Sequence, residues 1–300
     1  MLLTEFLVCN NLEIEFAISR MVHCNIIWCI FVSFNWFFFL ILTIDAVDDI
    51  TGSSRQKKLQ RRKGKREFLH TPTCQSLIGI YRTLASLETK CGFYLDSVLD
   101  IGANSGTWSM DLRRYFPQAN FFLIEGSSAN IPALSKTDMQ FEIAVVGDTE
   151  KDVIFYKKDG DTGNSMFKQY NWKNLNESSG TRVKMTTVDA ILQRRNVTTA
   201  FKFMKVDIQG SEILALKGST QALQSVEVVA VEASIMNYNI GGASFLNLYA
   251  ALDSFGFGLY DMFDMMRRKE GALVQIDLLF VRKTSQLWSK ECTGIDPPPS

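Results

Sequence analysis

The sequence predicts an α/β domain, a mostly parallel sheet covered by helices on both faces, preceded by a single N-terminal transmembrane helix. Three observations lead there. From residue 95 onward, apolar runs of strand length alternate with segments of helical period, the pattern of strands joined by crossover helices. Near the end, two strand-like runs, 256–263 and 275–282, follow each other with no helix between them, so they should pair as an antiparallel hairpin at the sheet edge. Residues 26–44, IIWCIFVSFNWFFFLILTI, carry no charge over nineteen positions, about the length of a helix that crosses a bilayer core.

Composition sets the limits on class. With 300 residues, 46% hydrophobic and 21% charged, the chain reads as one or two folded domains rather than a disordered polymer. A net charge of zero hides an asymmetry: residues 55–66 hold eight Lys or Arg and no acid, which leaves 24 basic against 32 acidic side chains elsewhere. An acidic body argues against nucleic acid as a partner. The six cysteines, Cys9, Cys24, Cys29, Cys74, Cys91 and Cys292, form no C-x-x-C pair and no metal-ligand spacing, so neither a disulfide framework nor a structural metal is expected. Both histidines, His23 and His70, precede the domain, so a general base inside it has to be Asp, Glu, Lys or Tyr.

In chain order, an N-terminal segment (1–25) leads into the transmembrane helix (26–44) and a basic tether (45–72) suited to acidic lipid headgroups. The domain spans 73–285, and 286–300, ending in Pro-Pro-Pro-Ser, is read as a disordered tail. Basic residues near the span place the domain in the cytoplasm. Initiation at Met21 would instead leave a short leader before the apolar run, a signal-anchor arrangement with a lumenal domain, where the sequons at Asn176 and Asn196 could be glycosylated.

Within the domain, Leu77, Ile78, Tyr81, Leu84, Ala85 and Leu87 recur at helical spacing, with Thr73 as cap and Gly92 as stop. Strands are expected at 95–101, 120–125, 139–145, 201–207 and 226–232. Helices are expected at 106–115, 127–136, 211–218 and 244–255.

Two strand-to-helix turns carry the chemistry. The first, Asp100-x-Gly102-x-Asn104-x-Gly106, lies where open α/β sheets bind nucleotide-like ligands. It lacks the third glycine of a dinucleotide loop and the Lys-Ser/Thr of a phosphate loop, so an acid-led turn suits a cationic or hydroxylated ligand better. Gly102 permits the turn and close approach of a ligand, and Gly106 tight entry into the helix. Glu125 ends the next strand, where a carboxylate either accepts hydrogen bonds from two ribose hydroxyls or simply favours a helix N-terminus. The second turn is Lys205-Val-Asp207-Ile-Gln209-Gly-Ser-Glu212; Glu212 either caps its helix or faces the substrate. With Glu232, the acids Asp100, Glu125 and Asp207 end four strands on one sheet edge.

The segments VLDIGANSG, FFLIEG, AVVGD, TTVDAIL and KVDIQGSEILALKG together resemble the FkbM family of S-adenosylmethionine-dependent methyltransferases over about residues 95–283. The resemblance implies a Rossmann-like class I methyltransferase sheet of seven strands with the last antiparallel, and O-methylation of a glycan or small-molecule hydroxyl. It implies that Asp100, Gly102 and Gly106 line the methionine and ribose end of the cofactor, that Glu125 holds the ribose hydroxyls, and that Asp207 sits by the reacting centre; beside these, Asn104 and Ala144 are expected at the cofactor, and Lys205 and Glu212 at the catalytic centre with Asp207. Gln209 departs from the family, which usually has Glu there. A catalytically silent membrane-tethered adaptor and an NAD-type oxidoreductase on the same fold are the competing readings.

Overall fold

The computed structural model describes residues 79–157, 163–169 and 180–295, all within the unit His70–Ser300. The expected transmembrane helix and basic tether lie outside the described residues, among which no helix is long and apolar enough to cross a membrane.

Helix α1 (Ile80–Cys91) buries Ile80, Leu84 and Leu87 and stops at Gly92, whose left-handed backbone (φ 67°) closes the last turn. Strand β1 (Ser97–Ile101) is buried along its whole length, as a central parallel strand must be. Then follow α2 (Thr107–Tyr115), β2 (Asn120–Glu125), a 3-10 turn running into α3 (Ile131–Leu134), and β3 (Gln140–Ile143). Strands β4 (Val145–Val146), β5 (Lys151–Phe155) and β6 (Thr181–Thr186) form a separate small sheet in the order β4-β6-β5. The chain returns through α4 (Val188–Arg194), β7 (Phe203–Val206), α5 (Glu212–Lys217), α6 (Ala222–Ser225), β8 (Val228–Ser234) and α7 (Phe245–Ser254). It closes with β9 (Phe257–Arg267), β10 (Leu273–Arg282) and the short α8 (Lys290–Thr293).

The main sheet has seven strands in the order β3-β2-β1-β7-β8-β10-β9. All neighbours up to β8 are parallel, and β10 runs antiparallel to both β8 and β9. Alternation along each strand sends side chains to opposite faces. Leu99, Ile101, Phe122, Met204 and Val229 pack against Ile191, Leu216 and Leu252 on one side. Val98, Phe121, Leu123, Phe203 and Val228 pack against Leu84, Leu87 and Leu112 on the other. The order reverses direction at β1, between β2 and β7, and that switch point opens the crevice in which ligands of such sheets bind.

Three expectations change. The run expected as one strand over 139–145 is split: β3 ends at Ile143, and Val145–Val146 joins the second sheet, because Ala144 turns the chain by donating its N–H to the Glu125 carbonyl at 2.9 Å. The hairpin is longer than expected, its turn confined to 268–272. Residues 286–295, expected in the tail, are folded onto the domain: Leu287 is buried, and the Trp288 indole donates to the Arg282 carbonyl at 3.1 Å.

Candidate active site

The β1 corner is built from backbone. Gly102 and Ala103 donate to the Ile124 carbonyl at 2.8 and 3.1 Å, which ties the loop to β2. Asn104 takes a left-handed conformation (φ 50°), one that Asn tolerates better than most residues. Its N–H donates to Glu125 Oε2 at 2.8 Å, while Ser127 N–H donates to Glu125 Oε1 at 2.8 Å. Each carboxylate oxygen is thus held by a main-chain donor, so the Glu125 side chain is locked at the mouth of the loop.

Asp100 is placed differently. It is fully buried on the helix side beneath the loop, where Ser109 Oγ donates to its Oδ2 at 2.6 Å and Lys205 Nζ lies 3.5 Å from its Oδ1. Strand register sets this pair, since Asp100 and Lys205 stand side by side on β1 and β7. Lys205 Nζ also reaches Asp207 Oδ2 at 3.2 Å and lies over the Trp108 ring. Burial alone would lower the Lys205 pKa, but Asp207 and Asp100 outweigh it and raise it. Lys205 is therefore a fixed ammonium, unsuited to take a proton.

The β7 corner joins the first through one close approach. Asp207 N–H donates to the Ile101 carbonyl at 2.9 Å, and a Cβ on Gly102 would stand 1.9 Å from the Asp207 carbonyl oxygen. Only glycine fits there. Beyond it, Gln209 is left-handed (φ 56°), a strained state for a long side chain. The Ser165 hydroxyl donates to its carbonyl at 2.7 Å. Its carboxamide Nε2 lies 3.2 Å from Asp207 Oδ1 and 2.9 Å from Glu232 Oε1, bridging the two carboxylates. Gln275 Nε2 donates to the other oxygen of Glu232, and the Tyr238 hydroxyl donates to Gln275 Oε1 at 3.1 Å.

Glu212 faces inward rather than toward a ligand. Its Oε1 accepts from Gly210 N–H at 2.9 Å and Ile208 N–H at 3.2 Å, holding the turn closed, and burial followed by repulsion from Asp207 brings its pKa up to about 7. Glu232 is pushed up to about 9, first by burial, then by Asp207 and Asp277.

Both corners open on a cavity of about 600 Å³, within the size range of small-molecule sites. Gly102, Asn104, Glu125, Ala144 and Asp207 line it together. Asp100, Gly106, Lys205 and Glu212 are not on its wall: Gly106 instead gives α2 its left-handed start (φ 79°) against Thr137. The wall also includes Gln169, Ser211, Tyr238 and Gln275, which sequence reasoning missed. Their approach depends on loops and on the β8–β10 register, for which the local sequence carries no signal.

The family model described as the methyltransferase FkbM domain matches residues 100–259, more than half of the chain. The chain belongs to the FkbM methyltransferase family. Membership covers both corners, from Asp100 through Glu232, and sets aside the oxidoreductase reading. No curated protein matches the chain. Among solved structures, the precorrin-6y C5,15-methyltransferase of Geobacter metallireducens is similar at 10% identity over 68% of this chain and 86% of that one, with a TM-score of 0.38. The magnesium protoporphyrin IX methyltransferase of Synechocystis PCC 6803, with bound S-adenosylmethionine, is similar at 12% identity over 79% and 96%, with a TM-score of 0.35. Family membership rests on the matched domain and not on these distant likenesses.

The cofactor of this FkbM methyltransferase is S-adenosylmethionine, and the cavity's chemistry fits it. Carboxylates at Glu125 and Asp207 suit a ligand that carries a sulfonium and an ammonium, and Ile124, Ala144 and Val145 offer apolar surface for an adenine ring. Buried Ser211 Oγ on the same wall has no hydrogen-bond partner among the described residues, an unmet polar group that a ligand can satisfy.

Proposed function

We propose that the chain is an O-methyltransferase acting on a hydroxyl of a glycan or a polyhydroxylated small molecule, tethered to a membrane by residues 26–44 and the basic stretch that follows. The observation that carries this reading is the lining beyond Asp207: Asn164, Gln169, Gln209, Tyr238 and Gln275 present amide and hydroxyl groups to the cavity. Such groups both donate and accept, as hydroxyl-rich ligands require.

S-adenosylmethionine supplies a methyl group already activated on a sulfonium, so the protein's task is to hold the acceptor oxygen in line and to take up its proton. Glu125, fixed by two main-chain donors, holds the ribose hydroxyls. Asp207 stands on the cavity wall with one oxygen toward Lys205 and the other toward Gln209. These two donors fix its orientation, and Asp207 serves as the carboxylate that receives the acceptor's proton. Glu232, pushed up to about 9 by burial and by Asp207, accepts from Gln209 Nε2 and Gln275 Nε2, and these donors occupy both of its oxygens.

Calorimetry with S-adenosylmethionine, followed by transfer of labelled methyl to panels of glycans, amines and thiols, tests the reading. Methylation of hydroxyl acceptors is expected, and labelling confined to amines or thiols would exclude it. Asp207→Asn should lower kcat by about 100-fold or more while changing cofactor affinity only a few-fold. Protease protection on intact membranes, read beside an endoglycosidase mobility shift at exposed Asn196, separates a cytoplasmic from a lumenal domain.

A further inference from the structure

The two thiols of the described residues come together far from the cofactor cavity. Cys91 is the last residue of α1, and Cys292 lies in α8, which packs on α1. Both are half-buried and free, and burial together with the neighbouring Cys292 thiol pushes the Cys91 thiol up to about 11. Ser289 Oγ approaches Cys292 Sγ at 3.5 Å. Both cysteines line an open cavity of about 410 Å³ beside Tyr260 and Asp261 of β9, so small molecules in solution reach them. The segment carrying Cys292 is anchored by buried Leu287 and by the Trp288 ring packed edge-on to Tyr260 at 5.3 Å, which holds the two thiols in register.

We propose that Cys91 and Cys292 form a disulfide that fastens the C-terminal helix to the first helix of the domain. The oxidant is a low-molecular-weight disulfide such as oxidised glutathione. One protein thiolate attacks it, breaking its S–S bond and releasing one glutathione thiol. The second protein thiolate then attacks the mixed disulfide, forming the protein S–S bond and releasing the other glutathione. Two thiol protons end on two glutathione thiols, so electrons and atoms balance. The bond closes a loop of about 200 residues, the kind of long loop whose closure restricts the unfolded chain most. The proposal is independent of methyl transfer and of the acceptor.

The test uses the full chain, incubated with oxidised glutathione and digested with trypsin without reduction. Peptides 91–113 and 291–300 should appear as one dithiothreitol-sensitive cross-linked species. The oxidised chain should melt about 5–15 °C above the reduced one. Cys292→Ser should abolish the cross-link, and Cys91→Ser should do the same. Because Cys292 lies in a short terminal helix, its variant remains informative if the Cys91 variant fails to fold. Free thiols or glutathione adducts at both positions, or either cysteine joined to Cys9, Cys24, Cys29 or Cys74, would overturn the proposal.

Discussion

The corners at β1 and β7 share a plan, a parallel strand running into a tight turn and a helix, yet they treat their acids in opposite ways. At β1 each carboxylate has dedicated partners. Glu125 sits on two main-chain N–H groups, and Asp100 on Ser109 and Lys205. At β7, Asp207 and Glu232 face each other with a neutral carboxamide between them, and Glu232 is pushed up to about 9. The first corner is a rigid cradle, and the second holds Asp207 between Lys205 and Gln209 beside a carboxyl, Glu232, whose pKa burial raises. A cofactor needs its binding groups in fixed positions and fixed charge states, whereas proton uptake from an acceptor needs a group whose charge can change.

The sharpest way to break the comparison is to separate the two corners. Gly102→Ala places a Cβ 1.9 Å from the Asp207 carbonyl oxygen and demands φ 87° of an alanine, and neither backbone can retreat without losing strand pairing. A cost above about 4 kcal/mol is expected, seen as loss of the cooperative unfolding transition or a large drop in its midpoint. Next in size is Asp100→Ala, which leaves the Ser109 hydroxyl without an acceptor and removes one of two carboxylates from half-buried Lys205. About 3 kcal/mol of stability should be lost in urea titrations, with cofactor affinity nearly unchanged in the protein that remains folded. Glu125→Ala should do the reverse, costing about 30–100-fold in S-adenosylmethionine affinity by calorimetry with a smaller stability loss. Equal effects of Asp100→Ala and Glu125→Ala on affinity would show that the cradle is not divided into a buried support and a ligand-facing group.

The division between those two acids marks what could be read beforehand. β2 matches its expected bounds, 120–125, and α2 its own to within a residue, because period and burial there are local properties of the sequence. The reach of Glu125 into the crevice follows from its place at a strand end. The burial of Asp100 does not, because its partner Lys205 is 105 residues away in the chain and is brought alongside only by β1–β7 register. Glu212 was ambiguous for a related reason: a carboxylate in a first helical turn can face either way, and here two main-chain donors turn it inward. The small sheet escaped notice because β4 is two residues long and β5 and β6 are paired across a distant stretch of chain. The folded segment after β10 escaped because Leu287 and Trp288 stand among polar residues with no periodic pattern.

The finest test concerns the charge of the second corner. A carboxyl whose folded-state pKa lies near 9 holds a proton that the unfolded chain gives up near its ordinary value of 4.5. Between those values the folded state binds more protons than the unfolded one, so stability falls as pH rises through this window. Glu212 and Asp277, each brought up to about 7 chiefly by burial, contribute in the lower half of the same window. Glu232→Gln keeps the shape and removes the titration, so its melting temperature should fall less than that of the parent between pH 5.5 and 8.5, by on the order of 5 °C. The largest benefit should come at the alkaline end, where the parent carries the buried charge. An unchanged slope would mean that the donors at Gln209 and Gln275 keep Glu232 ionised throughout. The proton from the acceptor would then have two carboxylates open to it rather than Asp207 alone.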